Sequence, residues 1–230
     1  MDMVDTSEIV LLGSFNPMIF HPEWFERYKI LPLHDTQWAK RHRPEEVALK
    51  DATGTILNNP IIYVTHTITQ LNFQSLAFRV LNNSFYCETK DRGSFNTVKE
   101  AVIKTFSILE HTPINAVGIN FVGALEVKKK ADSVLKFIFM KNDLASIFGD
   151  NYNIGGSIII KEDTRIISCH IGSSLTKDNI IDYLINFHSD IEKDESISAN
   201  KAVDIITNSY DASLEYTTRI LQSLLGEYTS

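Results

Sequence analysis

The sequence predicts an α+β protein: a mainly antiparallel sheet of about seven to nine strands packed against two long amphipathic helices. Three stretches carry that expectation. Leu71 to Val127 reads as strand, tight turn, strand, long helix, strand. Between Ile181 and Ser189, the residues Ile181, Tyr183, Ile185 and Phe187 alternate strictly with Asp182, Leu184, Asn186 and His188. That is the period of a half-buried strand, although the composition of the stretch is that of a helix. Ser198 to Glu227 holds no proline and repeats apolar residues from Ala202 to Leu225 at three- and four-residue steps, as one face of a helix does.

Taken in order, Glu8 to Phe15 predicts a first strand, short and apolar enough to be central. Asn16-Pro17 turns the chain. Pro22 then suits the first position of a short helix, where its missing N–H leaves no bond unmade. Leu33 to Asn59 has weak periodicity and contains the charged run Lys40-Arg41-His42-Arg43-Pro44-Glu45-Glu46. From Pro60 a β-branched run predicts one strand continuing towards Leu71.

Leu76, Phe78 and Val80 alternate with polar or small residues, and Asn82-Asn83 interrupts with side chains that tolerate the positive φ of a tight turn. The return through Phe85, Tyr86 and Cys87 completes a hairpin. Ser94 is placed to cap a helix whose stripe runs Phe95, Val98, Ala101, Val102, Phe106 and Leu109, and Thr112-Pro113 stops it. The strand after it sets Val117, Ile119, Phe121, Leu125 and Val127 on one face. Ala116, Gly118, Asn120 and Ala124 take the other, small enough for close approach.

Asp132 to Phe148 fits a strand in its first half and a short helix in its second. Gly155-Gly156 precedes a further hairpin turning at Glu162-Asp163. No repeat or low-complexity linker divides the 230 residues, so one domain is expected, built of two similar layers, 1–130 and 131–230.

Hydrophobic residues make up 43% of the chain, ordinary for a globular protein with a sizeable core. A net charge of −7 disfavours a nonspecific grip on nucleic-acid phosphate. Cys87 and Cys169 both fall in predicted strands, as small buried hydrophobes of a reducing compartment do. The start MDMVDTSEIV lacks a signal-peptide pattern, and no apolar run approaches the roughly 20 residues of a bilayer span. A cytoplasmic protein is expected.

The spacings that single out one chemistry are missing from the text: a phosphate loop, a Gly-x-Ser-x-Gly elbow, His-Glu-x-x-His or paired Cys-x-x-Cys. No cofactor or metal is expected. Cys169 and His170 are adjacent on a predicted strand and point to opposite faces, which argues against a thiolate pair. Two function classes remain. The first is a non-catalytic protein that binds another protein or itself as a homodimer, through the aromatic segment Phe20, Trp24, Phe25 and Tyr28 together with Arg41 and Arg43; such rings are enriched at interfaces, but they equally serve to pin a helix to a core. The second is a small-molecule or nucleotide-binding enzyme with a pocket between sheet and helix, using His188, Asp190 and Arg79.

The order of elements and some local text resemble a sporadically distributed bacterial family of uncharacterised α+β proteins. The carrying pieces are EIVLLGSFNP, the hairpin and helix from Leu71 to His111, INAVGINFV, YLINFHSDI and TTRILQSLL. In that family the strand after the long helix carries an Arg-Tyr-x-Asn-Arg sort of text; here it reads Gly118-Ile119-Asn120-Phe121-Val122, without the arginines. The resemblance implies the fold, and a place in a bacterial defence or toxin–antitoxin type locus.

Overall fold

The protein is described from a computed structural model, which covers residues 3–41, 62–139, 155–162, 164–192 and 198–229, with residues 38–41 as backbone. Among these residues nine strands join in one antiparallel sheet: β1 (Thr6–Gly13), β2 (Ile62–Val64), β3 (Ile68–Asn72), β4 (Ala77–Leu81), β5 (Ser84–Thr89), β6 (Ile114–Glu126), β7 (Gly155–Lys161), β8 (Ile166–Ser173) and β9 (Ile180–Asp190). Their spatial order is β2-β3-β4-β5-β1-β6-β9-β8-β7. The α-helices among the described residues are α1 (Pro22–Arg27), α2 (Leu33–Arg41), α3 (Phe95–Ile108), α4 (Ala131–Phe139) and α5 (Ser198–Leu225).

The chain runs strand, helix, meander, helix twice. β1 is followed by α1 and α2, the meander β2–β5, and α3; β6 is followed by α4, the meander β7–β9, and α5. Each opening strand pairs with the last strand of its own meander, and the two opening strands pair with each other at the centre. The halves therefore lie edge to edge in one sheet. Of the two long helices expected, only α5 is long, with 28 residues; α3 has 14.

Alternation in the strands fixes which face is covered. Ile9, Leu11, Phe78, Phe85, Ile119, Phe121, Ile185 and Phe187 all point to the helix side and are almost fully buried. α3 lies over β1 and β5, α5 over β6 and β9, and α4 over β7 and β8. Tyr210 of α5 ties the two halves together. Its hydroxyl donates to the Phe95 carbonyl at 3.0 Å, which leaves Ser7 Oγ, 2.6 Å away, to donate to it in turn.

Local chemistry explains the departures from expectation. From Ile62 the run makes two strands rather than one, because Thr65 Oγ1 accepts from the Ile68 N–H and donates to the Ile68 carbonyl, closing a turn without glycine or proline. Ser94 starts α3 but makes no side-chain cap; its hydroxyl donates to Asp91, whose other oxygen accepts from the Gly93 N–H. The first half of the stretch from Asp132, expected as a strand, is helix α4, and its second half, with the short helix expected up to Phe148, lies outside the described residues. At the end of β1 the register slips between Leu12 and Gly13, and a Cβ on Gly13 would stand 2.1 Å from the Pro113 carbonyl oxygen, so only glycine fits there. None of the described helices is long and apolar enough to cross a membrane.

Candidate functional site on the open face of the sheet

The alternate residues of the same strands face away from the helices, and no described helix lies on them. Register aligns these residues in rows that cross the sheet. One row runs Ala77, Glu88, Glu8, Asn120, Asn186, Ser168. The next runs Gln70, Arg79, Tyr86, Val10, Gly118, His188, Ile166.

The first row is wired internally. Asn186 Nδ2 donates to Asn120 Oδ1 at 2.6 Å, and Asn120 Nδ2 donates to Glu8 Oε2 at 2.7 Å. Both amides thus orient their donors towards one carboxylate, and each bond polarises the next. Gly118 keeps the row open from the side: a Cβ there would press on the Asn186 amide at 3.3 Å. Burial raises the Glu8 pKa above its ordinary value, against the Asn120 hydrogen bond that lowers it; the Glu88 charge opposite raises it further, and Arg79 lowers it. Glu8, Glu88, Gln70, Asn72, Arg79 and Tyr86 line a cleft of about 140 Å³, with the Arg79 guanidinium 4.3 Å from the centre of the Tyr86 ring.

Exposed apolar side chains flank the polar row. On this face Leu12 is 43% exposed and Leu184 36%, and Tyr63 stands open on β2. Further out, Ser157 Oγ lies 2.7 Å from His170 Nδ1, a cross-strand pair between β7 and β8.

The aromatic segment proposed as a partner surface is core. Phe20, Trp24 and Phe25 are 1%, 9% and 0% exposed. Phe25 sits 4.7 Å from Phe78 and Phe20 sits 5.5 Å from Phe85, centroid to centroid, so these rings pin α1 to the covered face of the first meander. Only Tyr28, where α1 ends, is open. Arg41 closes α2 and Arg43 lies outside the described residues. Lys29, directly after Tyr28, takes φ 53°, with its N–H on the Glu26 carbonyl and the Ile30 N–H on the Phe25 carbonyl, which ends α1 in the left-handed manner.

The enzyme candidates divide. His188 Nε2 and Asp190 Oδ1 are 3.0 Å apart on β9, as their spacing implied. Arg79 shares a cross-strand row with His188 but stands four strands away, about 19 Å at ~4.8 Å per strand. No group of three or more His, Cys, Asp or Glu side chains converges among the described residues. Cys87 and Cys169 are buried, free and likewise four strands apart; burial pushes the Cys169 thiol up to about 11. Between β9 and α5 lies a cavity of about 630 Å³, lined by Arg165, Asp190, Lys201, Asp204, Asn208 and their neighbours.

Sequence reasoning placed Asn120 on the correct face but did not join it to Glu8 and Asn186. The available signal was parity: all three are polar residues at the outward positions of central strands. Register, which no single strand reveals, made them neighbours. The chain matches no protein-family model and no curated protein.

Proposed function

We propose that this is a non-catalytic interaction protein that holds a partner protein on the open face of its sheet. The observation that supports the reading is the Glu8–Asn120–Asn186 row, hydrogen-bonded within itself and flanked by exposed Leu12 and Leu184. Side chains held by one another lose little freedom when a partner docks, and the leucines supply apolar area to bury. Glu8, Glu88, Asp182 and Asp190 outnumber Arg79 and Lys161 on this face, so the fitting partner presents lysine or arginine. Two copies set face to face would oppose acids with acids.

The test is a photo-crosslinkable residue at Leu12 or Leu184 in the full chain, in its native host. Both positions should trap one common protein, and the same probe at exposed Leu33 on α2 should not. The double variant Glu8→Lys/Leu184→Lys, folded by circular dichroism, should release that protein. Undiminished capture by the folded double variant overturns the reading.

A second reading, a small-molecule or nucleotide-binding enzyme, is favoured by the cavity between β9 and α5, where Arg165 and Lys201 stand beside Asp190 and Asp204. A thermal-shift panel of nucleotides and divalent metals separates the two. A shift removed by Lys201→Ala supports the enzyme; silence across the panel supports the interaction protein.

A further inference from the structure

Among the described residues β7 is an outer strand of the sheet, and its text is Gly-Gly-Ser-Ile-Ile-Ile-Lys. Ile158 and Ile159 remain 38% and 61% exposed. An outer strand offers a row of backbone N–H and C=O groups on its free side, which proteins ordinarily blunt with charge, proline or shortness. The strand at the other edge is blunted by shortness, since β2 has three residues. β7 has seven, three of them consecutive isoleucines, and its only charge is at the last position.

We propose that β7 is the seam of a homodimer, pairing antiparallel with β7 of a second copy so that two sheets become one. The strand's own pattern selects this occupant. Ile158 and Ile160 stand opposite Cys169 and Ile167 of β8 and so belong to the helix side; Ser157, Ile159 and Lys161 belong to the open face. A two-fold axis normal to the sheet keeps like faces together. With the axis at Ile159, that residue meets Ile159 of the partner subunit. Ile158 then meets Ile160 of the partner subunit, and Ser157 meets Lys161 of the partner subunit.

Every isoleucine finds an isoleucine, and no ammonium group meets another. Moving the axis to Ile158 puts Ile160 against glycine, and moving it to Ile160 puts Lys161 against Ile159. One register is preferred, as a specific seam requires. In this arrangement the helices of both copies lie on the same side and the acidic rows stay apart, so the seam leaves the open face free.

Sedimentation equilibrium of the full chain at micromolar concentration should give a dimer. Ile159→Lys should raise the dissociation constant by about tenfold or more, because at the axis each change counts twice and sets two ammonium groups opposite each other. Ile159→Cys should form a covalent dimer under mild oxidation, whereas Leu175→Cys, at an 85% exposed position between β8 and β9, should not. The native cysteines are buried and do not compete. A monomeric wild type, an Ile159→Lys chain that is folded yet still dimeric, or equal cross-linking at both cysteine positions would each overturn the proposal.

Discussion

The covered and open faces of the sheet come from the same strands, one residue to each in turn, and they are built to opposite ends. Under the helices the first meander meets α1 and α3 through Phe15, Phe20, Phe25, Phe78, Phe85 and Phe106, ring against ring at 4.7 to 6.4 Å. On the other side the central residues are Glu8, Asn120 and Asn186, held by hydrogen bonds rather than by packing. The contrast teaches where stability resides and where it does not. A face packed to crystal-like density resists change in volume, while a polar row held by hydrogen bonds, with no described helix over it, remains free to recognise something.

The sharpest way to break that comparison is Phe25→Ala. The ring is fully buried among Trp24, Phe73 and Phe78, so its loss leaves a cavity as well as forfeiting transfer free energy. The expected cost is about 3–5 kcal/mol, read as a lowered urea midpoint. A cost near zero would mean that the aromatic segment is surface after all, and would restore it as a partner site.

Adjacent positions on β9 sharpen the same point with a smaller effect. Ile185 is 0% exposed and faces the helices, while Leu184 is 36% exposed and faces away. Ile185→Ala should destabilise by about 2–5 kcal/mol and Leu184→Ala by less than about 1 kcal/mol. Equal costs would show that the open face is packed in solution. Tyr210→Phe comes next. It removes the donor to the Phe95 carbonyl and the acceptor for Ser7, leaving two buried groups unpaired, at about 1–3 kcal/mol by chemical denaturation.

Much of the covered face was legible in the text, because burial writes a period into the chain. Strict alternation from Ile181 to Phe187 outweighed a helix-like composition, and β9 is a strand. The stripe from Ala202 to Leu225 finds the buried face of α5 at Ala202, Ile206, Tyr210, Leu221 and Leu225, but that face continues through Ser213 and Thr217, while Leu214, Ile220 and Leu224 are half-buried. The division of β2 from β3 was not legible, since Thr65 closes its turn with a hydroxyl that many positions in a strand also carry. The aromatic segment was misassigned because ring content alone does not distinguish a ring facing a core from one facing a partner. The site was least legible of all. Glu8, Asn120 and Asn186 are separated by 112 and by 66 residues, and only the pairing of β1, β6 and β9 brings them into one row.

The smallest effect expected is also the most diagnostic of that row. Burial and the Glu88 charge hold the Glu8 carboxyl above its ordinary value of 4.5 in the folded protein. Below that value both folded and unfolded chains keep the proton, and Glu8 adds no pH dependence. As pH rises above it, the unfolded chain releases its proton first, so the folded state binds more protons and its stability falls until the folded group has ionised as well. Glu8→Gln keeps an oxygen to accept from Asn120 and has no proton to release. The variant should therefore match the wild type in acid and become the more stable of the two as pH rises through the window above 4.5, a divergence visible in paired melting curves from pH 4 to 8. Curves that stay parallel would mean that Glu8 is solvated like any surface carboxylate, and the row would then lack the buried anchor that orients its two amides.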